Sequence, residues 1–518
     1  MKSELVEEIA REISHVQLSR RKLLRLGGMA GAGLVLATVA PGSLANELGT
    51  LVGSGELNAF VRLSSDGTIT IYSARPDMGQ GVKTSLPMIV AEEMGAKWSD
   101  VVVLQSGVGE RYGVQWAGGS RSIASSSDHM RELGASAREM LISAAAEFLE
   151  VPKSQFNVSN SEVIHASGKR LSFAELAARA ARQVVPDPSS LTFKDKSDYT
   201  IIGTSIPGVD NLEIVTGGAL FGIDTDVPDM LYAAYYKCPV IGGTVVEANL
   251  QDIKKLPGIV DAFIVKGNGN IRQLLSGVAV VGDSTWAVFE AEKKLKIKWD
   301  KANASKDSWN NLVQTAKKLG GSEGENIIHS KGDVTRVFGD NANKVLEGSY
   351  SYSFVAHLCL EPMNCTASYR FGSKGGKDSI EIWVPTQSPS SIAPAITQMY
   401  KVEEDQIQVN ITRIGGGFGR RFSTEFVFEA VEISKYMGRP IKLTWTREDD
   451  IQHDYFRAGG FQWLRGAVDK KGKLSAWDQH FIGMGNNGKP TSGSRFPRNE
   501  FPLPLVGNVR ATSTLLDI

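Results

Sequence analysis

Cysteine is nearly missing from this chain: three in 518 residues, at Cys238, Cys359 and Cys365. No C-x-x-C pair occurs among them, so the chain offers no cysteine set for an iron–sulfur cluster or a structural zinc. A disulfide framework is excluded as well, and each thiol reads as a small buried apolar side chain. An excess of one charge is also lacking. Lys plus Arg and Asp plus Glu number 57 each, which removes the electrostatic footprint of a nucleic-acid binder. Long apolar runs are absent too. The stretch after Arg25 carries four glycines and is short for a bilayer span of about 20 residues. No repeat at solenoid periods is present. Glycine, by contrast, is plentiful at 54 residues, which points to tight turns and close backbone approaches.

Residues 1–45 read as an export leader of the twin-arginine type: Ser19-Arg20-Arg21, a modestly apolar stretch, then small residues before a cut after Ala45. An amphipathic helix with a chance Arg-Arg pair is the alternative. The route carries folded proteins, so the expectation is a periplasmic protein holding a cofactor inserted beforehand. At this length several domains are expected. FVRLSSDGTITIYSA reads as a hairpin turning at Asp66-Gly67. SLPMIVAEEMGA reads as a helix ended by Gly95, and SSSDHMRELGASAREMLISAAAEFL as another. Strands and helices alternate without a βαβ rhythm, so the fold class is α+β. A first domain spans 55–190, with a boundary in the polar, proline-bearing stretch near 185–200. A second, rich in short strands with TWAVFEAEKKLKIKW as its helix, spans 200–300. DKANASKDSWNNLVQ is read as a polar connection to a third unit, 345–518.

Four stretches can carry chemistry. Met78-Gly79-Gln80-Gly81-Val82-Lys83-Thr84 follows a strand and opens a helix, whose N-terminus favours an anion. An ordinary strand-to-helix turn is the plain reading. Residues 116–127, WAGGSRSIASSS, offer glycines, hydroxyls and Arg121 to phosphate oxygens, or serve only as a loop with a helix cap. His357 and Glu361 lie in HLCLEPMNCT, where a satisfied structural histidine is the plainer reading. Gly415 to Arg421, GGGFGRR, lacks the G-x-G-x-x-G spacing and the downstream acidic residue of a nicotinamide site. Together, Gly-rich anion-cradling turns from distant segments are read as clasping one large phosphorylated cofactor.

MGQGVKTSLPMIVAEEM, WAGGSRSIASSSD, IIGTSIPGVDNLEIVTGGALFGID, HLCLEPMNCTA, EIWVPTQSP, IGGGFGRRF and KLTWTREDD, in this order, resemble the molybdenum-binding subunit of the xanthine dehydrogenase/aldehyde oxidase superfamily, isoquinoline 1-oxidoreductase beta-subunit type. The resemblance covers nearly all of 55–518. It implies molybdopterin-binding domains, the GQG-containing one at 55–190 and the GGGFG-containing one at 345–518, with an α/β hammerhead domain at 200–300. The implied cofactor is molybdopterin cytosine dinucleotide, with no FAD or iron–sulfur cluster in this chain. Gln80, Gly81 and Thr84 match the loop at the pterin and pyrophosphate. Gly118, Gly119, Ser120 and Ser122 match a second dinucleotide loop. Gly416, Gly417, Phe418 and Gly419 match the loop approaching the metal's ligands, with Arg420 and Arg421 neutralising phosphate or holding the loop. Trp116 and Phe418 are candidate pocket walls, with simple packing the alternative.

The implied reaction is hydroxylation of an electron-poor carbon in an aldehyde or N-heteroaromatic ring, with water as the oxygen source. Metal coordination makes such a nucleophile available near neutral pH. Electrons would leave through a small 2Fe–2S iron–sulfur subunit, with a cytochrome c as a further acceptor. The family's general-base glutamate falls beyond residue 518, so no residue here is assigned that role, and Glu361 matches another position. The chain is therefore expected to be C-terminally truncated, with apolar surface uncovered in its third unit. The competing readings are a catalytically inactive remnant and a nucleotide-binding protein without redox chemistry.

Overall fold

A computed structural model describes residues 34–36, 60–113, 115–341, 343–373 and 376–518. Apart from the backbone of Leu34–Leu36, the leader read at 1–45 lies outside the described residues. The chain divides into two compact units that interleave in sequence. The first takes Met1–Met230, Asn364–Gly417 and Ala430–Lys442; the second takes Leu231–Met363, Phe418–Glu429 and Leu443–Ile518. Consecutive domains do not describe this arrangement, because the GGGFG segment itself passes from one unit into the other after Gly417.

In the first unit, Val61–Leu63 and Ile69–Ser73 form the expected antiparallel hairpin, with Gly67 at φ 91° in its turn. Helix Val82–Met94 crosses over to Val101–Gln105, which pairs parallel to Ile69–Ser73. Gly95, left-handed at φ 74°, ends that helix. Helix Ser127–Leu149 lies against it so closely that a Cβ on Gly134 would sit 2.4 Å from the Val90 carbonyl oxygen. Leu63, Ile69, Val90, Met94, Leu133 and Leu141 fill the core between them. Burying each such side chain contributes roughly 1.5–3 kcal/mol. A three-stranded sheet, Phe156–Ser159, Glu162–His165 and Arg170–Ser172, leads into helix Phe173–Ala180 through a Ser172–Glu175 capping box. Later in the same unit, Asn364–Arg370 pairs antiparallel with Ser379–Val384, which pairs parallel with Ile407–Ile411.

The polar stretch near 185–200 is tied down within the first unit. Glu92, fully buried, accepts the N–H groups of Thr200, Ile201 and Ile202 and pairs with Lys194 at 2.9 Å. Glu93 accepts the Lys194 N–H and pairs with Arg131 at 2.7 Å. Two carboxylates inside the helix thus lash this segment down, and the division between units falls after Met230.

In the second unit, Ile259–Val265, Gly277–Gly282 and Leu231–Lys237 form an antiparallel sheet under helix Thr285–Glu292. That helix is shorter than its sequence suggests: residues 297–300 turn into a strand, Ile297–Asp300, paired with Thr244–Ala248. The polar connection is not a plain linker either, since it holds helix Trp309–Leu319, capped by Ser308. That helix covers a larger sheet ordered Asn326–Lys331, Asn508–Asp517, Leu474–Asn486, Gly460–Val468 and Lys344–Tyr352. Trp309 stacks on Phe461 with ring centroids 5.1 Å apart. Lys344–Tyr352 is an edge strand, and Leu346, Tyr350 and Tyr352 on it are exposed. The helices and mixed sheets agree with the α+β expectation.

Candidate functional site

Within the first unit, three of the four Gly-rich or motif segments come together. Gln387 is the joint. Its backbone carbonyl accepts the Ala117 N–H at 2.9 Å, and its side-chain amide donates back to the Ala117 carbonyl at 2.8 Å. A Cβ on Gly417 would sit 2.6 Å from Gln387 Oε1 and 2.8 Å from Met78 Sδ. The WAGGS loop therefore bonds to Gln387, and Gly417 packs closely against both that amide and Met78 of the GQG turn.

Each turn is held by side chains that the sequence motifs do not single out. Asp77 accepts the Gly79 N–H at 2.8 Å and the Lys83 N–H at 3.0 Å, so the chain's own carboxylate takes donors at the start of helix Val82–Met94. Arg413 lies 3.3 Å from Asp77 and 2.7 Å from Asp210, and Lys83 pairs with Asp210 at 2.7 Å. Gln80 folds onto its own turn: its Oε1 accepts the Met78 N–H and its amide donates to the Pro76 carbonyl. Arg75 fixes the second loop, donating to the Trp116 carbonyl at 2.8 Å and to Ser125 and Ser126. Gln115 ties the same loop to Ala74, Ser106 and Gly107.

The remaining backbone donors stand open. Gly79 and Gly81, at φ 106° and 76°, have no heavy atom within 4 Å of an added Cβ, and Gly119 has only the Arg121 stem, at 3.8 Å. Among the described residues, the N–H groups of Gln80, Gly81, Gly119, Ser120 and Ser122 find no partner. Gly119 and Ser120 follow one another in the left-handed region, at φ 57° and 53°. Consecutive outward N–H groups of this kind form an anion-binding concavity, and the residues present fit a phosphorylated group. Thr84 is different from its expected part. It is buried, and its hydroxyl accepts the Val209 N–H at 3.0 Å.

The second unit carries the other half of the GGGFGRR loop. Phe418 is 68% exposed at φ 53°, and Gly419 follows at φ 105°. Arg420, expected among cofactor-contacting residues, is instead enclosed by the protein. It pairs with Glu425 at 2.5 Å and Asp454 at 3.1 Å, with its side chain 1% exposed. Arg421 is likewise buried, donating to the Glu361 carbonyl at 2.6 Å and lying 3.3 Å from the Glu361 carboxylate. A desolvated guanidinium needs such partners, so this pair holds the loop. Asp454 also accepts the His357 backbone N–H at 2.5 Å and lies 3.0 Å from its Nδ1. Burial alone would raise the Asp454 carboxyl, but the His357 bonds and Arg420 outweigh it and hold it below its ordinary range. Deeper in, Lys237 pairs with Glu429 at 2.9 Å and lies 3.5 Å from the Trp445 ring centroid. Burial pushes Glu429 up to about 7 against the pull of Lys237. All three cysteines are buried, as expected.

Two molybdopterin cofactor-binding domain families match the chain, one over residues 13–208 and one over 320–494. Among curated relatives, a membrane-bound aldehyde dehydrogenase (pyrroloquinoline-quinone) of Gluconacetobacter polyoxogenes is 29% identical over 91% of this chain and 63% of its own length. The beta subunit of isoquinoline 1-oxidoreductase from Brevundimonas diminuta is 27% identical over 85% of this chain and 61% of its own. A nicotinate dehydrogenase subunit of Pseudomonas putida is 26% identical over 91% and 39%. The chain thus spans less than two thirds of the length of each of these relatives. It carries two molybdopterin cofactor-binding domains. These domains and relatives support the resemblance to the molybdenum-binding subunits of the xanthine dehydrogenase/aldehyde oxidase superfamily.

Proposed function

We propose that this chain is the cofactor-holding part of an enzyme oxidising an aldehyde or N-heteroaromatic carbon with water as oxygen source. The observation that carries the reading is the bonding of the 116–122 loop to Gln387 and the close packing of Gly417 against both Gln387 and Met78 of the first turn, with open backbone donors on both turns. The relatives' names, an aldehyde dehydrogenase, an isoquinoline oxidoreductase and a nicotinate dehydrogenase, support that substrate range.

In this reading Gln80, Gly81, Gly119, Ser120 and Ser122 hold the phosphorylated tail through N–H groups. The cofactor, when bound, supplies the redox chemistry. The chain's own residues hold it: Asp77, Arg413 and Asp210 fix the first turn, and Arg75 and Gln115 fix the second. Phe418 presents an exposed ring beside Gly419. We further propose the cytosine dinucleotide form of the cofactor, a small 2Fe–2S subunit as electron partner, and cytochrome c as a further acceptor. We also propose an α/β hammerhead domain at 200–300, and the Ser19-Arg20-Arg21 leader as a twin-arginine signal for the periplasm.

Purification from the native host tests the reading. Stoichiometric molybdenum, CMP released by acid hydrolysis, and label from isotopic water in the oxidised product are expected. A folded full-length protein with neither molybdenum nor CMP would refute it. Cofactor bound without turnover of benzaldehyde, isoquinoline or nicotinate would favour an inactive remnant.

A further inference from the structure

His357 has a use that its sequence context does not reveal. Its Nδ1 lies 3.0 Å from the Asp454 carboxylate, which also accepts the His357 backbone N–H. Asp454 is ionised, held by Arg420 at 3.1 Å. A carboxylate only accepts, so Nδ1 must carry the proton, and in the neutral ring Nε2 is left with its lone pair. That nitrogen is directed at the loop. Nε2 lies 3.7 Å from where a Cβ on Gly419 would stand, with no other heavy atom within 4 Å apart from Gly419's chain neighbours. Among the described residues Nε2 has no hydrogen-bond partner. The ring is anchored as well, because the side chain is only 9% exposed.

A buried structural histidine uses both nitrogens or hides the second among apolar atoms. Here one nitrogen is fixed by a carboxylate and the other faces the space kept clear by a glycine. The exposed Phe418 ring is that glycine's chain neighbour.

We propose that His357 is a hydrogen-bonding side chain for a substrate N–H or O–H group at the Phe418–Gly419 turn, with Asp454 as its positioning residue. The inference rests on the functional reading above. The bond made is substrate X–H to Nε2. Where the proton transfers, it passes from X to Nε2, leaving X negative and the imidazolium beside Asp454, with Nδ1–H unchanged. The charged groups facing the ring are Asp454 and, behind it, Arg420.

Two measurements test this, one of them independent of turnover. In the full chain labelled with ¹⁵N-histidine, the His357 signal of the neutral ring should show Nδ1 protonated and Nε2 unprotonated, and Asp454→Asn should abolish that preference. A proton on Nε2 in the wild type would overturn the proposal. In the assembled enzyme, His357→Gln should lower kcat/KM for the best of benzaldehyde, isoquinoline and nicotinate by roughly 10²-fold, with molybdenum and CMP content unchanged. Added imidazole should restore part of the activity to His357→Ala. Activity of both variants equal to wild type would overturn it, as would activity falling only in proportion to lost molybdenum. Failure of the wild type to turn over any of the three compounds counts against the functional reading, and the tautomer result then decides this proposal.

Discussion

Replacing Gly417 by alanine isolates the joint between the converging loops. The backbone there is not in the left-handed region, so alanine adds a methyl group without backbone strain. The methyl would stand 2.6 Å from Gln387 Oε1, 2.8 Å from its Cδ and 2.8 Å from Met78 Sδ. Met78 can swing aside. Gln387 is 2% exposed and bonded to Ala117, so it gives way only by weakening that bond. Overpacking of this kind costs about 1–3 kcal/mol, and a weakened neutral hydrogen bond adds about 0.5–1.5 kcal/mol. The loss should be local. Amide exchange across 115–126 should accelerate, because the Ala117 N–H donates to Gln387, and less molybdenum should be retained on purification. Gly107→Ala is the control, since nothing lies within 4 Å of its added methyl, and surface changes of that kind stay within about 0.5 kcal/mol. Equal exchange and equal metal content in the two variants would refute the clasp.

Other outcomes follow from buried charge. Burial, with Asp449 adding to it, pushes the Glu292 carboxyl up to about 9 from 4.5, so the folded state holds a proton that the unfolded chain releases. Its contribution therefore becomes unfavourable as pH rises from 4.5 towards 9, reaching roughly 3 kcal/mol at pH 7. Glu292→Gln should stabilise at pH 7 and have little effect at pH 4, measured by urea unfolding; a pH-independent effect would contradict the assignment. Arg420→Met strands Glu425 and Asp454 and should destabilise by about 3–5 kcal/mol in the same assay. Glu92→Gln should loosen 192–202 by roughly 1.5–3 kcal/mol, seen as faster proteolysis there. The Glu92 carboxyl is held below its ordinary range by the Ile201 and Ile202 N–H groups and Lys194, against burial, so in the wild type this tie is lost as pH falls through that lowered value.

What was legible in the sequence was local. Apolar spacing and Gly95 delimit helix Val82–Met94, and Asp66-Gly67 marks its hairpin, because neighbouring residues decide both. Trp309–Leu319 escaped notice since only Leu312 and Ala316 of it are buried, leaving too sparse an apolar stripe to stand out in a polar run. The glycine motifs could be read as turns. The groups that fix them could not: Lys83 and Arg413 reach Asp210 across 127 and 203 positions. Arg420 and Arg421 could be read as phosphate partners or as holding the loop, because sequence displays a charge and conceals its neutraliser; Asp454 and Glu361 became visible as those neutralisers only in the fold.

That concealment bears on how a cofactor would be held. Arg413, Lys83, Arg420 and Arg421 all face carboxylates of this chain, so none is a bare charge waiting for phosphate. Apart from the exposed Arg121, whose stem lies 3.8 Å from where a Cβ on Gly119 would stand, the donors at these turns are backbone dipoles, rigidly aimed and carrying no full charge. Attraction between exposed full charges fades once separations pass a Debye length of about 8 Å at physiological salt, whereas short hydrogen bonds to fixed N–H groups are screened far less. Retention of the cofactor should therefore change little when the purified protein is washed at high ionic strength. Release of molybdenum and CMP in proportion to salt would mean that side-chain cations, and not the open turns at Gly81 and Gly119, provide the grip.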